Sequence, residues 1–180
     1  MDIISVDPGL QHTGVFEIVE GKRRCWHIEQ GKSSRYAHLS AIFRTLSKRC
    51  EEVAFRIGFV EDYAYRDNKS VMFAEIGGVI RAAMVGAGVP IVIMPIATWK
   101  SLTIGNKPKG TIQEGAAYVR RVNKLYGAES STPDEADAFL IYYAAKMITE
   151  RKTRLTDAAE RLRENVMRVL AEPPMLAMHA

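Results

Sequence analysis

The sequence has little cysteine and no long apolar run, and each absence narrows what the chain can be. Two cysteines occur in 180 residues, Cys25 and Cys50, without the spacing of a metal site or a disulfide framework, so we expect a reducing compartment. No apolar run approaches the roughly 20 residues that span a bilayer. The N-terminus also lacks the basic region and apolar core of a secretory signal. We therefore expect a cytoplasmic protein without a membrane partner.

Nucleotide and metal motifs are missing as well. The chain contains neither GxxxxGK[ST] nor GxGxxG, so we expect no nucleotide cofactor. An actin-like ATPase, whose phosphate loop also begins with Asp near a glycine turn, is disfavoured because no later nucleotide motif follows. The four histidines form no HxxxH or Cys/His arrangement, and we interpret them as ordinary polar or edge residues: His12, His27, His38 and His179.

The composition is that of a folded domain. The apolar fraction of 47% and the aromatic fraction of 8% are ordinary for a globular protein. A net charge of +4 is compatible with a polyanionic partner without requiring one. The basic residues are spread over predicted loops and helix faces, which favours solvated surface charge. We predict a main domain over 1–150, a C-terminal helical extension over 151–172 and a disordered tail over 173–180.

Hydrophobic periodicity predicts an antiparallel start followed by α/β crossovers. This order favours an α/β fold with a mixed sheet of five strands flanked by helices. The predicted strands are 2–7, 13–19, 24–28, 54–60 and 89–94, and the longer helices are 34–50, 69–87, 111–126, 130–150 and 153–170. Apolar faces are predicted from Leu39, Ile42, Phe43 and Leu46 in the first helix, and from Ala116, Val119 and Leu125 in the third.

Three predicted elements present carboxylates at their ends. Asp7 ends the first strand before a Pro-Gly turn, and Glu61 ends the fourth strand. Asp134 and Asp137, spaced i and i+3, share one face at the start of a helix. Such carboxylates have the oxygen ligands that two Mg²⁺ ions about 3.5–4 Å apart require. In that arrangement one ion activates water and the other stabilises the leaving oxygen of a phosphodiester.

A purely structural explanation competes at the helix start. Thr132 is a good N-cap, Pro133 suits the first helical position, and Glu135 completes a capping box. Acidic residues in a first turn also suit the helix dipole. This explanation accounts for Glu135 and tolerates Asp134, but it leaves Asp137 unexplained within an apolar run. Asp7 likewise has an alternative as ordinary turn chemistry.

Ordered segments over about residues 1–148 add a further signal. They are Ile4-Ser5-Val6-Asp7-Pro8-Gly9-Leu10 with Thr13-Gly14, Val60-Glu61, the small-residue helix from Ala74 to Ala83, Val89-Pro90-Ile91, Trp99-Lys100 with Gly105, and Pro133 to Ala138. In order and spacing this set resembles the RuvC family of Holliday-junction resolvases. The departures described below indicate a diverged phage or atypical member, in a bacterial cytoplasm or a phage-infected cell.

The resemblance implies an RNase H-like fold with an extra C-terminal helix, and a homodimeric endonuclease that nicks opposed strands of a four-way DNA junction. It implies that Mg²⁺, with Mn²⁺ able to substitute, is held by Asp7, Glu61, Asp134 and Asp137. Lys100 matches a basic residue near the family's active centre, and Lys107 or Lys109 matches a second. The implied DNA contacts are Tyr63, Tyr65, Arg66, Lys69, Lys100, Lys107 and Lys109.

The sequence departs from the family pattern at two places. Gln11 replaces the usual basic residue after the turn, and the loop after Glu61 leaves the inserting aromatic open between Tyr63 and Tyr65. The family's nick-site preference and its docking to the branch-migration motor are therefore not transferred to this chain. Two alternatives stay open: a nuclease of the same fold acting on other branched DNA or RNA/DNA hybrids, and a non-catalytic junction-binding module.

Overall fold

The computed structural model describes residues 1–31, 34–62, 70–104, 115–150 and 155–172. Within these ranges the chain forms five strands and six helices. The strands are β1 (Ile3–Asp7), β2 (His12–Val19), β3 (Lys22–Glu29), β4 (Ile57–Glu61) and β5 (Ile91–Met94). The helices are α1 (Arg35–Val53), α2 (Ser70–Gly86), α3 (Ile96–Thr103), α4 (Ala116–Tyr126), α5 (Pro133–Glu150) and α6 (Asp157–Ala171).

The strands form one mixed sheet in the order β3-β2-β1-β4-β5. β2 pairs antiparallel with both β1 and β3, whereas β4 pairs parallel with both β1 and β5. All five residues of the central strand β1 are buried, which is expected of a strand covered on both faces. The predicted α/β class, the antiparallel start and the later parallel crossovers are confirmed.

Two apolar cores lie on opposite faces of this sheet. One core joins Phe16, Phe59 and Trp99 to buried side chains of α4, α5 and α6. The other joins Ile4 and Val60 to buried side chains of α1 and α2. Alternate residues of β1 enter opposite cores, as a period-two strand requires. The sheet therefore carries helices on both faces, and its strand ends remain available for a site.

The apolar pattern of the sequence identifies the buried faces of the helices but not the limits of those faces. In α1 the buried residues recur every four positions from His38 to Cys50, and Phe43, one position from that stripe, is 46% exposed. In α4 only the middle of the helix is buried, so Ala116 at its start and Leu125 in its last turn are exposed. The predicted inward positions of these three residues are wrong.

The C-terminal helix packs onto the same chain. α6 begins at Asp157 rather than at the predicted residue 153, because Thr156 is its N-cap and accepts a hydrogen bond from the Ala159 amide at 3.3 Å. Its buried side chains, Ala159, Leu162 and Val166, join the core on the α5 face. The division of the chain at residue 150 stays a prediction, and residues 151–154 and 173–180 lie outside the described ranges. No described helix is long and apolar enough to cross a membrane.

Candidate active site

Two of the candidate carboxylates leave the sheet at the same edge. β1 and β4 are parallel neighbours, with Val6 opposite Val60, so the residues that follow, Asp7 and Glu61, lie at adjacent carboxyl ends. Both are positioned by short apolar strands whose side chains fill the two cores. Asp7 is only 7% exposed. The parallel pairing of β1 and β4 thus brings Asp7 and Glu61 to the same edge of the sheet.

The start of α5 is held against this edge by contacts that tolerate almost no extra volume. A Cβ on Gly14 would lie 2.0 Å from the carbonyl oxygen of Asp134, so glycine permits β2 and α5 to approach this closely. The buried Ser5 hydroxyl of β1 donates to the carbonyl oxygen of Ala138 at 2.7 Å. These contacts place the first turns of α5, which carry Asp134 and Asp137, over the end of β1.

The predicted capping box at this helix start is half confirmed. The Thr132 hydroxyl accepts a hydrogen bond from the Glu135 amide at 3.2 Å, as an N-cap does. The Glu135 carboxylate, however, accepts from the Ser131 amide at 2.6 Å, one residue before the cap. It also bonds Nδ1 of His27 on β3 at 2.6 Å. Glu135 is therefore a buried tie between α5 and β3, and it points away from the other carboxylates' shared face.

The pKa values show that the four candidate carboxylates interact. Burial raises the pKa of Asp7 well above its ordinary value, and the charges of Glu61, Asp137 and Asp134 raise it further. Burial also raises the pKa of Glu61 to about 7 and that of Asp137 to about 6. The pKa of Asp134 rises as well, mainly through burial. The sheet edge thus holds an excess of negative charge that is costly to ionise.

Lys100 on α3 is a basic residue that offsets part of this charge. It lowers the pKa of Asp7, Glu61 and Asp137 through their electrostatic attraction. Its Nζ lies 4.9 Å from the centre of the Trp99 ring, which stacks the lysine over a buried aromatic. The other predicted basic and aromatic contacts, Tyr63, Tyr65, Arg66, Lys69, Lys107 and Lys109, lie outside the described residues.

Two hydrogen-bond donors at the site were missed from the sequence. Trp99 donates its indole N–H to Oε2 of Glu61 at 2.8 Å, and the Tyr118 hydroxyl donates to Oδ1 of Asp137. Both bonds lower the pKa of their carboxyl partners. The sequence offered one signal for Trp99, which directly precedes the predicted site residue Lys100. Tyr118 carried no such signal, because only the packing of α4 on α5 brings it to Asp137.

Of the four histidines, His12 and His27 lie beside the candidate site, on β2 and the edge strand β3, and His179 lies outside the described residues. Nδ1 of His12 lies 3.7 Å from Oδ2 of Asp134, and its Nε2 lies 3.8 Å from Oε1 of Glu29. Its ring meets that of His27 edge-on, with centroids 5.2 Å apart. His38 is 2% exposed and belongs to the buried face of α1. Two histidines therefore lie beside the candidate site, and the third is part of the buried face of α1.

The donor set fits a hard divalent cation in its chemistry. Four carboxylates repel one another, and oxygen ligands of this kind suit Mg²⁺ or Mn²⁺. Among the described residues, no group of three or more His, Cys, Asp or Glu side chains is already arranged to hold a metal ion. The Trp99 and Tyr118 hydrogen bonds occupy one oxygen each on Glu61 and Asp137. The four carboxylates are therefore of the right chemical type and interact with one another, but their oxygens are not yet arranged as metal ligands.

The mixed five-stranded sheet with helices on both faces is an RNase H-like fold. Among solved structures the chain is similar to Thermus thermophilus RuvC, with a TM-score of 0.63 and 20% identity over 85% of this chain and 98% of that one. It is also similar to T. thermophilus RuvC in complex with a Holliday junction substrate, with a TM-score of 0.63 and 17% identity over 84% and 96%. No protein-family model and no curated protein sequence matches the chain. The likeness confirms the predicted RuvC-like fold.

Proposed function

We propose that the protein is a divalent-metal-dependent endonuclease that resolves four-way DNA junctions by paired nicks. The observation that carries this proposal is the meeting of Asp7, Glu61, Asp134 and Asp137, from three distant parts of the sequence, at one sheet edge. The same fold is seen in a protein solved with a Holliday junction substrate. A non-catalytic module would have no use for this concentration of buried negative charge, which costs stability.

Asp7, Glu61, Asp134 and Asp137 would hold Mg²⁺, or Mn²⁺ in its place. When bound, the metal polarises the phosphate and lowers the pKa of a coordinated water. The protein groups prepare the site for it. Trp99 and Tyr118 fix one oxygen each of Glu61 and Asp137, which leaves the second oxygen of each carboxylate to coordinate.

Lys100 would act on the substrate side of the same site. Its positive charge already balances part of the carboxylate charge in the metal-free protein. With a divalent cation balancing the carboxylate charge instead, the Lys100 ammonium would be available to attract a backbone phosphate. Lys107 and Lys109, which lie outside the described residues, remain predicted contributors.

Paired nicking of opposed strands requires two active sites, and we extend the proposal to a homodimer. The support is an apolar face on α2. Val71 is 66% exposed and Val85 is 42% exposed, and the helical period places both on the same side of α2. Cβ atoms on Gly78 and Gly86 would meet nothing within 4 Å, so this face offers small residues for close helix contact. A two-fold pairing through α2 would bury these side chains and produce a symmetric enzyme.

Replacing Val71 and Val85 with Asp should yield a monomer by light scattering, and a variant that stays dimeric would show that another surface pairs the chains.

Cleavage assays on matched substrates test the proposed function. We expect Asp7→Asn and Asp137→Asn to abolish Mg²⁺-dependent nicking of a four-way junction while junction binding is retained. A matched control is Asp157→Asn, which removes a carboxylate from the first turn of α6. Wild-type rates in both site variants would refute the assignment of these residues. Equal rates on flaps or RNA/DNA hybrids would favour the broader nuclease, and binding without nicking in Mg²⁺ or Mn²⁺ would favour the non-catalytic module.

A further inference from the structure

A basic cleft runs along the edge of the sheet next to the candidate active site. It has a volume of about 780 Å³ and lies between the edge strand β3 and helix α1. The side chains that line it are Arg24, Trp26, His27, Ile28, Glu29, Ala41, Arg44, Thr45, Lys48, Arg49 and Glu52. None of these residues was predicted to contact the substrate, so the cleft calls for its own explanation.

One end of the cleft adjoins the catalytic carboxylates. Glu29, in its wall, lies 3.8 Å from His12, and His12 lies 3.7 Å from Asp134. His27, also in the wall, bonds Glu135 next to Asp134. From Glu29 the cleft follows β3 back to Arg24, five strand steps or about 17 Å. That distance matches about five phosphates of one strand along a duplex axis.

The charge of the cleft favours an anionic occupant. Four of its side chains are cationic, namely Arg24, Arg44, Lys48 and Arg49, and two are carboxylates, Glu29 and Glu52.

Not all four cations are equally available. Arg49 is committed to the buried Glu17 through two hydrogen bonds of 2.9 and 2.8 Å. Lys48 is 79% exposed and lies 3.9 Å from Glu52, which is too far for a hydrogen bond, and Arg24 is 65% exposed and lies 3.9 Å from the buried Glu17. Arg44 is exposed and makes no ion pair with the described residues. Arg44 and Lys48 are therefore the charges most free to bind a partner.

The cleft is also lined by an aromatic side chain, Trp26. Trp26 is half-buried in the cleft wall, and the Arg24 guanidinium lies 5.9 Å from the centre of its ring. Aromatic surface flanked by arginine and lysine is typical of nucleic-acid-binding grooves. An acidic peptide would also match the charge, but the continuity with the carboxylate site favours the polymer that this site acts on.

We infer that the β3–α1 cleft holds the sugar-phosphate backbone of a junction arm as that arm leaves the active site. This inference rests on the proposed function, since the arm must belong to a DNA substrate of the carboxylate site. Arg44 and Lys48 on α1 contact successive phosphates, and Trp26 supports the backbone between the two walls. The cleft contributes affinity and arm direction, and the carboxylates perform the cleavage.

The salt dependence of junction binding tests this inference. Without divalent metal, the affinity of the full-length protein for a four-way junction is measured by fluorescence anisotropy between about 50 and 200 mM salt. Replacing both Arg44 and Lys48 with Gln should weaken binding and reduce the slope of log affinity against log salt by about 1.8, or 0.9 per phosphate contact. An unchanged slope would overturn the inference.

Two further variants separate the cleft from general charge effects. Arg121→Gln with Lys124→Gln removes the same two charge types from the exposed face of α4 and should leave the slope nearly unchanged. An equal reduction in this control would mean that net charge alone is responsible, and the cleft would lose its role. Glu52→Gln removes a carboxylate from the cleft and should tighten binding several-fold, a gain that misfolding cannot produce. Weaker or equal binding by Glu52→Gln would contradict the inference.

These outcomes are distinct from a failure of the proposed function. If the wild-type protein neither binds nor nicks four-way junctions, the proposed function fails and the inference falls with it. If the wild-type protein nicks junctions and the cleft variants bind with the wild-type slope, only the path of the arm is wrong.

Discussion

Neutralising Glu61 should stabilise the metal-free protein while it abolishes metal-dependent activity. Burial raises the pKa of Glu61 from 4.5 to about 7, so the folded protein holds this proton to a higher pH than the unfolded chain does. Between these two pKa values the folded state binds more protons, and the free energy of unfolding therefore falls as pH rises. The stabilising contribution is complete below about pH 4.5 and is lost above about pH 7.

The magnitude follows from the same shift. A carboxyl whose pKa rises this far costs on the order of 3 kcal/mol when it is fully ionised. In Glu61→Gln the side-chain amide oxygen still accepts the Trp99 indole N–H, so this donor stays paired and most of the cost is recovered. We expect a gain of about 2 kcal/mol at about pH 8, or about 4–8 °C in Tm for a chain of this size.

Thermal unfolding of metal-free protein between about pH 5 and 8 measures this effect. Glu61→Gln should differ little from wild type at the acidic end and exceed it increasingly toward pH 8. Subtracting the two curves removes titrations that do not depend on Glu61, including that of His38, whose pKa burial lowers and whose contribution therefore has the opposite sign. Glu164→Gln on the exposed face of α6 is the matched control and should follow wild type. A Glu61→Gln protein less stable than wild type at pH 8 would refute the electrostatic argument.

Three further substitutions test how the site is supported. Tyr118→Phe removes the hydrogen-bond donor to Asp137, so the pKa of this carboxyl should rise. The protein should then bind Mn²⁺ about 10–100-fold more weakly, as measured by calorimetry. Unchanged affinity would show that the hydroxyl has no positioning role. Gly14→Ala places a Cβ 2.0 Å from a backbone oxygen of α5 and should cost about 3 kcal/mol in urea unfolding, whereas a neutral effect would mean that the helix shifts freely. Arg49→Met leaves the buried Glu17 carboxylate with only the Arg24 guanidinium, 3.9 Å away, and should cost about 3 kcal/mol in urea unfolding; a loss below about 1 kcal/mol would contradict the pairing.

The elements of the fold were accessible from the sequence because their signals are local. Alternation and turn residues located β1, β2 and β3, and the predicted helix over 69–87 matches α2 to within one residue at each end. What failed was depth of burial. Phe43 and Leu125 satisfy the helical pattern, yet the tertiary packing buries different positions of α1 and α4. A helix period does not record how far the neighbouring sheet extends.

The sequence predicts the candidate site only in part, because only some of its residues carry a local signal. Asp7 and Glu61 are marked by the strands they end, and Asp137 by its misfit in an apolar run. Their convergence depends on β1 and β4 being parallel neighbours, which came from the resemblance and which the sheet topology confirms. Tyr118 and His12 had no local mark, since each reaches its carboxylate across a tertiary contact. Contacts of this kind are invisible to spacing arguments.

Mapping the nicks on a synthetic mobile four-way junction tests the central claim most directly. The wild-type protein should cut two opposed strands at symmetric positions in Mg²⁺, and no cuts should appear with Asp137→Asn although that protein still binds the junction. Symmetric cleavage by Asp137→Asn at the wild-type rate would contradict the account, because the acidic sheet edge would then not be where the reaction takes place.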